Sequence, residues 1–168
     1  MAKTQKTLDQ YSTAELEALA AKSEIHIANK LALIATSFVC GFIAMTYIVL
    51  LPQKLIPLPI SITTILIAIL PQIAAWIIYR RRFESPMVRH IVGCGFGLLY
   101  AFILFTSEIG IVYLYAIPLI VIITIYGDVT YTAAIAFGTV ILNAISVAIT
   151  MSHGVTGDEI TSLPMRVV

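Results

Sequence analysis

Charge is what this chain has least of. Only 11% of its 168 residues are Asp, Glu, Lys or Arg, whereas a soluble domain carries about one quarter. Hydrophobic residues make up 60% of the chain and the mean hydropathy is +0.98, which excludes a water-soluble globule. Cysteine is almost missing: Cys40 and Cys94 both fall inside apolar runs, with no CxxC pair and no His near either in sequence. They read as small, buried, non-bonded thiols rather than metal ligands. Catalytic patterns are absent too, with no HExxH, no nucleophile elbow and no pair of acids on one helix. No catalytic, cofactor-binding or metal-ligating residue is therefore expected, no cofactor and no enzymatic activity. Long basic tracts are lacking, since the one Arg cluster is a short segment between apolar runs; a nucleic-acid partner is not expected. Nor does the N-terminus have the form of a cleaved signal peptide, because thirty mostly polar residues precede the first apolar run.

What remains is a set of long apolar runs organised around one polar stretch, Tyr79 to His90, which holds Arg80, Arg81, Arg82 and Arg89. A single Arg at the centre of a membrane helix costs about 2.5–3.5 kcal/mol on insertion scales, so three in a row must lie in a loop. Short loops rich in Lys and Arg stay in the cytoplasm. This loop therefore sets the side of every other segment.

Residues 1–30 form a polar leader, with Ser12 and Glu15 spaced as a capping box and good helix formers after them. A cytoplasmic helix is expected here, with the option of running on into the first span. Five transmembrane spans are expected: residues 31–51, 59–79, 91–105, 109–126 and 131–151. The run from Ile91 to Tyr126 is far too long for one crossing, so it is divided at Thr106-Ser107-Glu108. With the leader and the arginine loop inside, eight Lys and Arg residues lie in the cytoplasm, and only Lys54 and Arg166 lie outside. The fold class is thus an all-α integral membrane protein with its N-terminus in the cytoplasm and its C-terminus outside. Residues 152–168 form an external segment, and Leu163-Pro164-Met165 resembles the mouth of a sixth span. The chain is expected to stop short of that span, as a fragment of a longer reading frame.

Within the spans, Gly93 and Gly97 make a GxxxG pair, a spacing that lets two helices approach closely, within the chain or between copies. Pro71 releases the carbonyl of Ile67 from its helical bond, and the adjacent Gln72 is positioned to take part in the repair. Gln72 and Asn143 lie deep in spans; each reads as an interhelical hydrogen bond or as a ligand contact, and isolated amides are common helix glue. Glu108 and Asp128 fall at turns and read as solvated loop charges rather than as ion-coupling acids. His26 and His90 flank spans, and His153 lies outside them.

Three runs carry a resemblance. His90-Ile91-Val92-Gly93-Cys94-Gly95-Phe96-Gly97-Leu98-Leu99-Tyr100-Ala101-Phe102-Ile103-Leu104-Phe105-Thr106-Ser107 resembles the third membrane segment of multi-span methyl-accepting chemotaxis proteins of anaerobic Gram-positive bacteria. Tyr115-Ala116-Ile117-Pro118 and Tyr126-Gly127-Asp128-Val129-Thr130-Tyr131 are similar to later parts of the same region. In that family six spans precede a HAMP module and a long methylated helical hairpin. The resemblance implies the membrane-embedded sensory input region of a chemoreceptor-like signal transducer in the bacterial cell membrane. Its partners would be the lipid bilayer, further copies through the membrane helices, and the chemotaxis kinase and adaptor through a cytoplasmic part beyond residue 168. Related inputs occur on diguanylate cyclases and sensor kinases. The competing class is a small multi-span transporter or the substrate-binding membrane subunit of a vitamin importer. Five spans, an external C-terminus and the lack of a polar cluster on one helix face count against it.

Overall fold

The computed structural model describes residues 13–53, 55–107 and 112–152. Among the described residues five α-helices follow one another: α1 Thr13–Leu50, α2 Leu58–Arg81, α3 Met87–Thr106, α4 Ala116–Thr124 and α5 Val129–Ser152. A 3-10 turn, Val112–Tyr115, leads into α4. Among the described residues there is no strand. Four of the helices, α1, α2, α3 and α5, are long and apolar enough to cross a membrane.

The leader and the first expected span are one helix. No Pro or Gly interrupts residues 13–40, and the run Glu15 to Lys22 is rich in Ala, Leu and Glu, so nothing stops the helix at the polar boundary. At 1.5 Å per residue its 38 residues reach about 57 Å, nearly twice a hydrocarbon core. Ser12, the expected N-cap, lies outside the described residues. Proline sets the next starts: Pro57 and Pro59 open α2, and Pro86 precedes α3. Extended backbone at Arg82 (φ −148°, ψ 95°) ends α2 after the arginines.

The fourth expected span, residues 109–126, is described in part. Its described helix covers only Val112–Thr124, and Glu108 to Ile111 lie outside the described residues. The 3-10 turn and α4 together rise about 22 Å, less than a hydrocarbon core of about 30 Å. The chain nevertheless returns to the end where α3 began, because Asp128 pairs with Arg89 in the first turn of α3.

Helix α3 is the centre of the bundle and touches α1, α2, α4 and α5. It buries Val88, Val92, Phe96, Leu99 and Ile103, a stripe at spacings of four, four, three and four that keeps one face inward. On α1 the buried stripe is Asn29, Leu33, Thr36, Cys40, Ile43 and Tyr47. Helix α2 inverts the rule for water-soluble proteins: it buries Ser61, Thr64, Ala68, Gln72 and Ala75, and exposes Ile62, Leu66, Ile69, Ile73 and Ile77. Small residues inside let backbones close up, while large apolar ones outside require an apolar solvent. Several threonine hydroxyls on these helices return to their own backbone one turn earlier, as with Thr36 to Ala32 O (2.6 Å) and Thr64 to Ile60 O (2.8 Å). That satisfies them without water. The pattern fits a multi-pass membrane protein.

Candidate functional site

One end of the bundle gathers the polar residues. Asn29, fully buried on α1, donates from Nδ2 to the carbonyls of Phe83 (3.0 Å) and Ser85 (3.1 Å) in the loop after the arginines. A tight loop leaves such carbonyls without helical partners, and a primary amide has two donors to give them. One turn earlier, His26 stacks on Tyr79 with ring centroids 5.8 Å apart, and its Nε2 lies 2.9 Å from the Tyr79 hydroxyl. Phe83 closes edge-on against the same imidazole at 5.5 Å. Lys22 and Glu84 add an exposed ion pair at 3.7 Å, which contributes little. The leader half of α1 is thus clasped to the arginine loop. In the sequence His26 was simply a residue flanking a span; its partners lie 53 and more residues away.

A second joint ties α3 to α5. Arg89 reaches Asp128 at 2.7 Å and lies 4.7 Å from the centre of the Tyr131 ring. The other carboxylate oxygen of Asp128 accepts from the backbone N–H of Tyr131 at 2.9 Å, which makes it the N-cap of α5. Gly127, at φ 64°, supplies the left-handed turn that aims Asp128 this way. Asp128 lies at the turn as expected and stays partly exposed, but its carboxylate also caps a helix and pairs with a cation. The Tyr131 N–H, with Arg89 beside it, holds its carboxyl below the usual carboxylate range, against a smaller opposing effect of desolvation. His90 meets the Tyr131 ring edge-on at 5.3 Å.

Between α1 and α2 runs an open groove of about 290 Å³, lined by Ser37, Gly41, Ala68, Gln72, Trp76 and Arg80 among others. Trp76 Nε1 donates to Ser37 Oγ (2.9 Å), Ser37 reaches Gln72 Oε1 (3.4 Å), and Gln72 Nε2 faces Cys40 Sγ (3.6 Å). The amide of Gln72 is spent across the helix pair rather than on repairing the backbone at Pro71. It is the interhelical bond expected of it.

Several other residues fall differently from expectation. Asn143 donates to Thr139 O (2.8 Å) on its own helix and also interacts with the Tyr100 hydroxyl of α3. Of the GxxxG pair, Gly93 faces the Tyr131 hydroxyl and Ile123, where a Cβ would lie 3.1 Å from Cδ1, but Gly97 has open space around it. The close approach passes instead to Gly95, against Pro71. Cys40 is buried, whereas Cys94 is exposed on the outer face of α3. Glu108 and His153 lie outside the described residues. Among the described residues no group of three or more His, Cys, Asp or Glu could hold a metal ion. The polar face of α2 was missed in the sequence, although Ser61, Thr64, Ala68, Gln72 and Ala75 recur at three- and four-residue steps.

No protein-family model matches the chain, and no curated protein or solved structure does either.

Proposed function

We propose that the chain is the membrane-embedded sensory input region of a chemoreceptor-like signal transducer in the bacterial cell membrane. It crosses the bilayer five times, with the leader and the arginine loop in the cytoplasm, and α4 makes the fourth crossing by tilt of its neighbours and local thinning of the bilayer. The observation that carries the reading is the continuity of α1 from Thr13 to Leu50, together with its clasp on the arginine loop through Asn29 and His26. A helix without a break carries a shift made in the bilayer to its polar end as a rigid element. The clasp ties that shift to α2 and α3. Further copies of the chain would pack through the membrane helices. The chemotaxis kinase and adaptor would be reached through a cytoplasmic signalling part.

The test is a chimera in which these residues, followed by a sixth span, are joined to the cytoplasmic part of a known chemoreceptor. The chimera is expected to cluster with the chemotaxis kinase and to alter swimming bias. Its response should be lost on Asn29→Ala. If it leaves motility untouched while the chain by itself raises uptake of a vitamin or an ion, the transporter class takes its place.

A further inference from the structure

We infer that the groove between α1 and α2 is a binding site for one anionic amphiphile of the bilayer, its acyl chain in the trough and its headgroup between Lys30 and Arg80. The inference stands independently of the transducer reading. Three observations converge on it. The trough opens sideways between two membrane-length helices, so whatever enters comes from the lipid. Its walls are graded: Arg80 lines the polar end and Ala68 the deep end, twelve residues apart on α2 and so about 18 Å along the helix axis. That is the reach of an extended acyl chain of ordinary length. Arg80 stands at the mouth itself, and helical register brings a second cation towards it from α1. Lys30 precedes Ser37 by seven residues on α1, which places it within about 20° of the same face, and both Lys30 and Arg80 are exposed.

The polar trio explains why the trough stays open. Trp76, Ser37 and Gln72 join across its floor at 2.9 and 3.4 Å, so α1 and α2 are pinned there by side chains. Gly41 beside them has nothing within 4 Å of where a Cβ would stand. A pinned pair with a missing side chain leaves a slot that lipid must fill. A cation near the membrane surface adds about fivefold to the retention of an anionic lipid, and a slot for the chain converts that general attraction into a site. The headgroup could be a phosphate or a carboxylate; both meet the same two cations.

Trp76 is the one Trp of the chain and lines the groove, so it reports occupancy directly. The purified full chain is placed in phosphatidylcholine vesicles carrying a small fraction of phosphatidylglycerol brominated on its acyl chain. Quenching of Trp76 should exceed that from the same fraction of brominated phosphatidylcholine several-fold. Arg80→Gln and Lys30→Gln should each weaken the preference about fivefold, while Arg81→Gln, which does not line the groove, should leave it intact. Gly41→Phe fits the open space and should lower quenching by brominated phosphatidylglycerol with every charge in place. Native mass spectrometry of the unmodified chain in detergent should show one phosphatidylglycerol retained per chain. If unbrominated oleate displaces the brominated lipid with the same dependence on Arg80, the site stands and takes a carboxylate. Equal quenching by the two brominated lipids, equal loss from Arg81→Gln and Arg80→Gln, or indifference to Gly41→Phe would overturn it, leaving only a general basic belt.

Discussion

Pro71 of α2 packs its ring into the space that Gly95 of α3 leaves open. A Cβ built on Gly95 would stand 2.5 Å from Pro71 Cβ and 3.1 Å from its Cγ. A proline ring has no rotamer with which to retreat, so one of the two helices must move if Gly95 gains a side chain. The proline that interrupts the hydrogen bonding of α2 is thereby seated against a glycine of its neighbour.

Gly95→Ala is accordingly expected to destabilise the protein by about 1–3 kcal/mol, and Gly97→Ala to leave stability unchanged, since nothing lies near Gly97. Thermal unfolding in detergent, read by circular dichroism, measures both. Equal midpoints for the two variants would contradict the close contact.

Asn29→Ala removes two hydrogen bonds from the arginine loop and should cost about 1–3 kcal/mol. The local consequence is sharper than the global one. Trypsin should cut after Arg80, Arg81 or Arg82 about tenfold faster, because the loop is released from α1 and local opening exposes it. Asn29→Asp keeps the shape but offers an acceptor to two carbonyls, so it should open the loop at least as far. Unchanged cleavage in both variants would show that the clasp does not hold the loop.

The Arg89–Asp128 joint predicts an acid-sensitive component of stability. The folded carboxyl of Asp128 titrates below its unfolded value of about 3.9. Its contribution is complete above that value and is lost as pH falls towards the folded one. Asp128→Asn keeps the helix cap but gives up the ion pair, so its unfolding midpoint should be lower near neutral pH and should fall less steeply on acidification. Parallel pH profiles for parent and variant would rule out this role for Asp128.

Much of the bundle is legible in hydropathy alone, because the runs that become α2, α3 and α5 have ends marked by Pro57, Pro86 and Gly127. Whether the leader helix runs on into the first span stayed open in the sequence, since charge pattern reports where lipid stops and α1 does not stop there. The 3-10 entry of the fourth element was hidden for the converse reason: apolar residues from Val112 to Thr124 satisfy a hydropathy window whether they coil as 3-10 or as α-helix. Pairings were the least accessible. GxxxG spacing identifies glycines that share a face, but which face meets a neighbour depends on Pro71 and Tyr131, 24 or more residues away. Gln72 and Asn143 look alike in sequence; one spends its amide on Ser37 and Cys40 across a helix pair, the other donates to Thr139 on its own helix and reaches Tyr100 of α3. Asp128 followed by Val129-Thr130-Tyr131 could have been read as a helix cap, since Asp is a favoured N-cap.

Sidedness tests the central claim most directly. Single cysteines are introduced at Gln53, Glu84 and Val129 in a chain lacking Cys40 and Cys94, and intact cells are treated with a membrane-impermeant maleimide. Gln53→Cys should react in intact cells, whereas Glu84→Cys and Val129→Cys should react only after lysis, because the Asn29 clasp and the Arg89–Asp128 pair place both at one end. Reaction of Glu84→Cys in intact cells, or of Glu84→Cys and Val129→Cys from opposite sides, would contradict it.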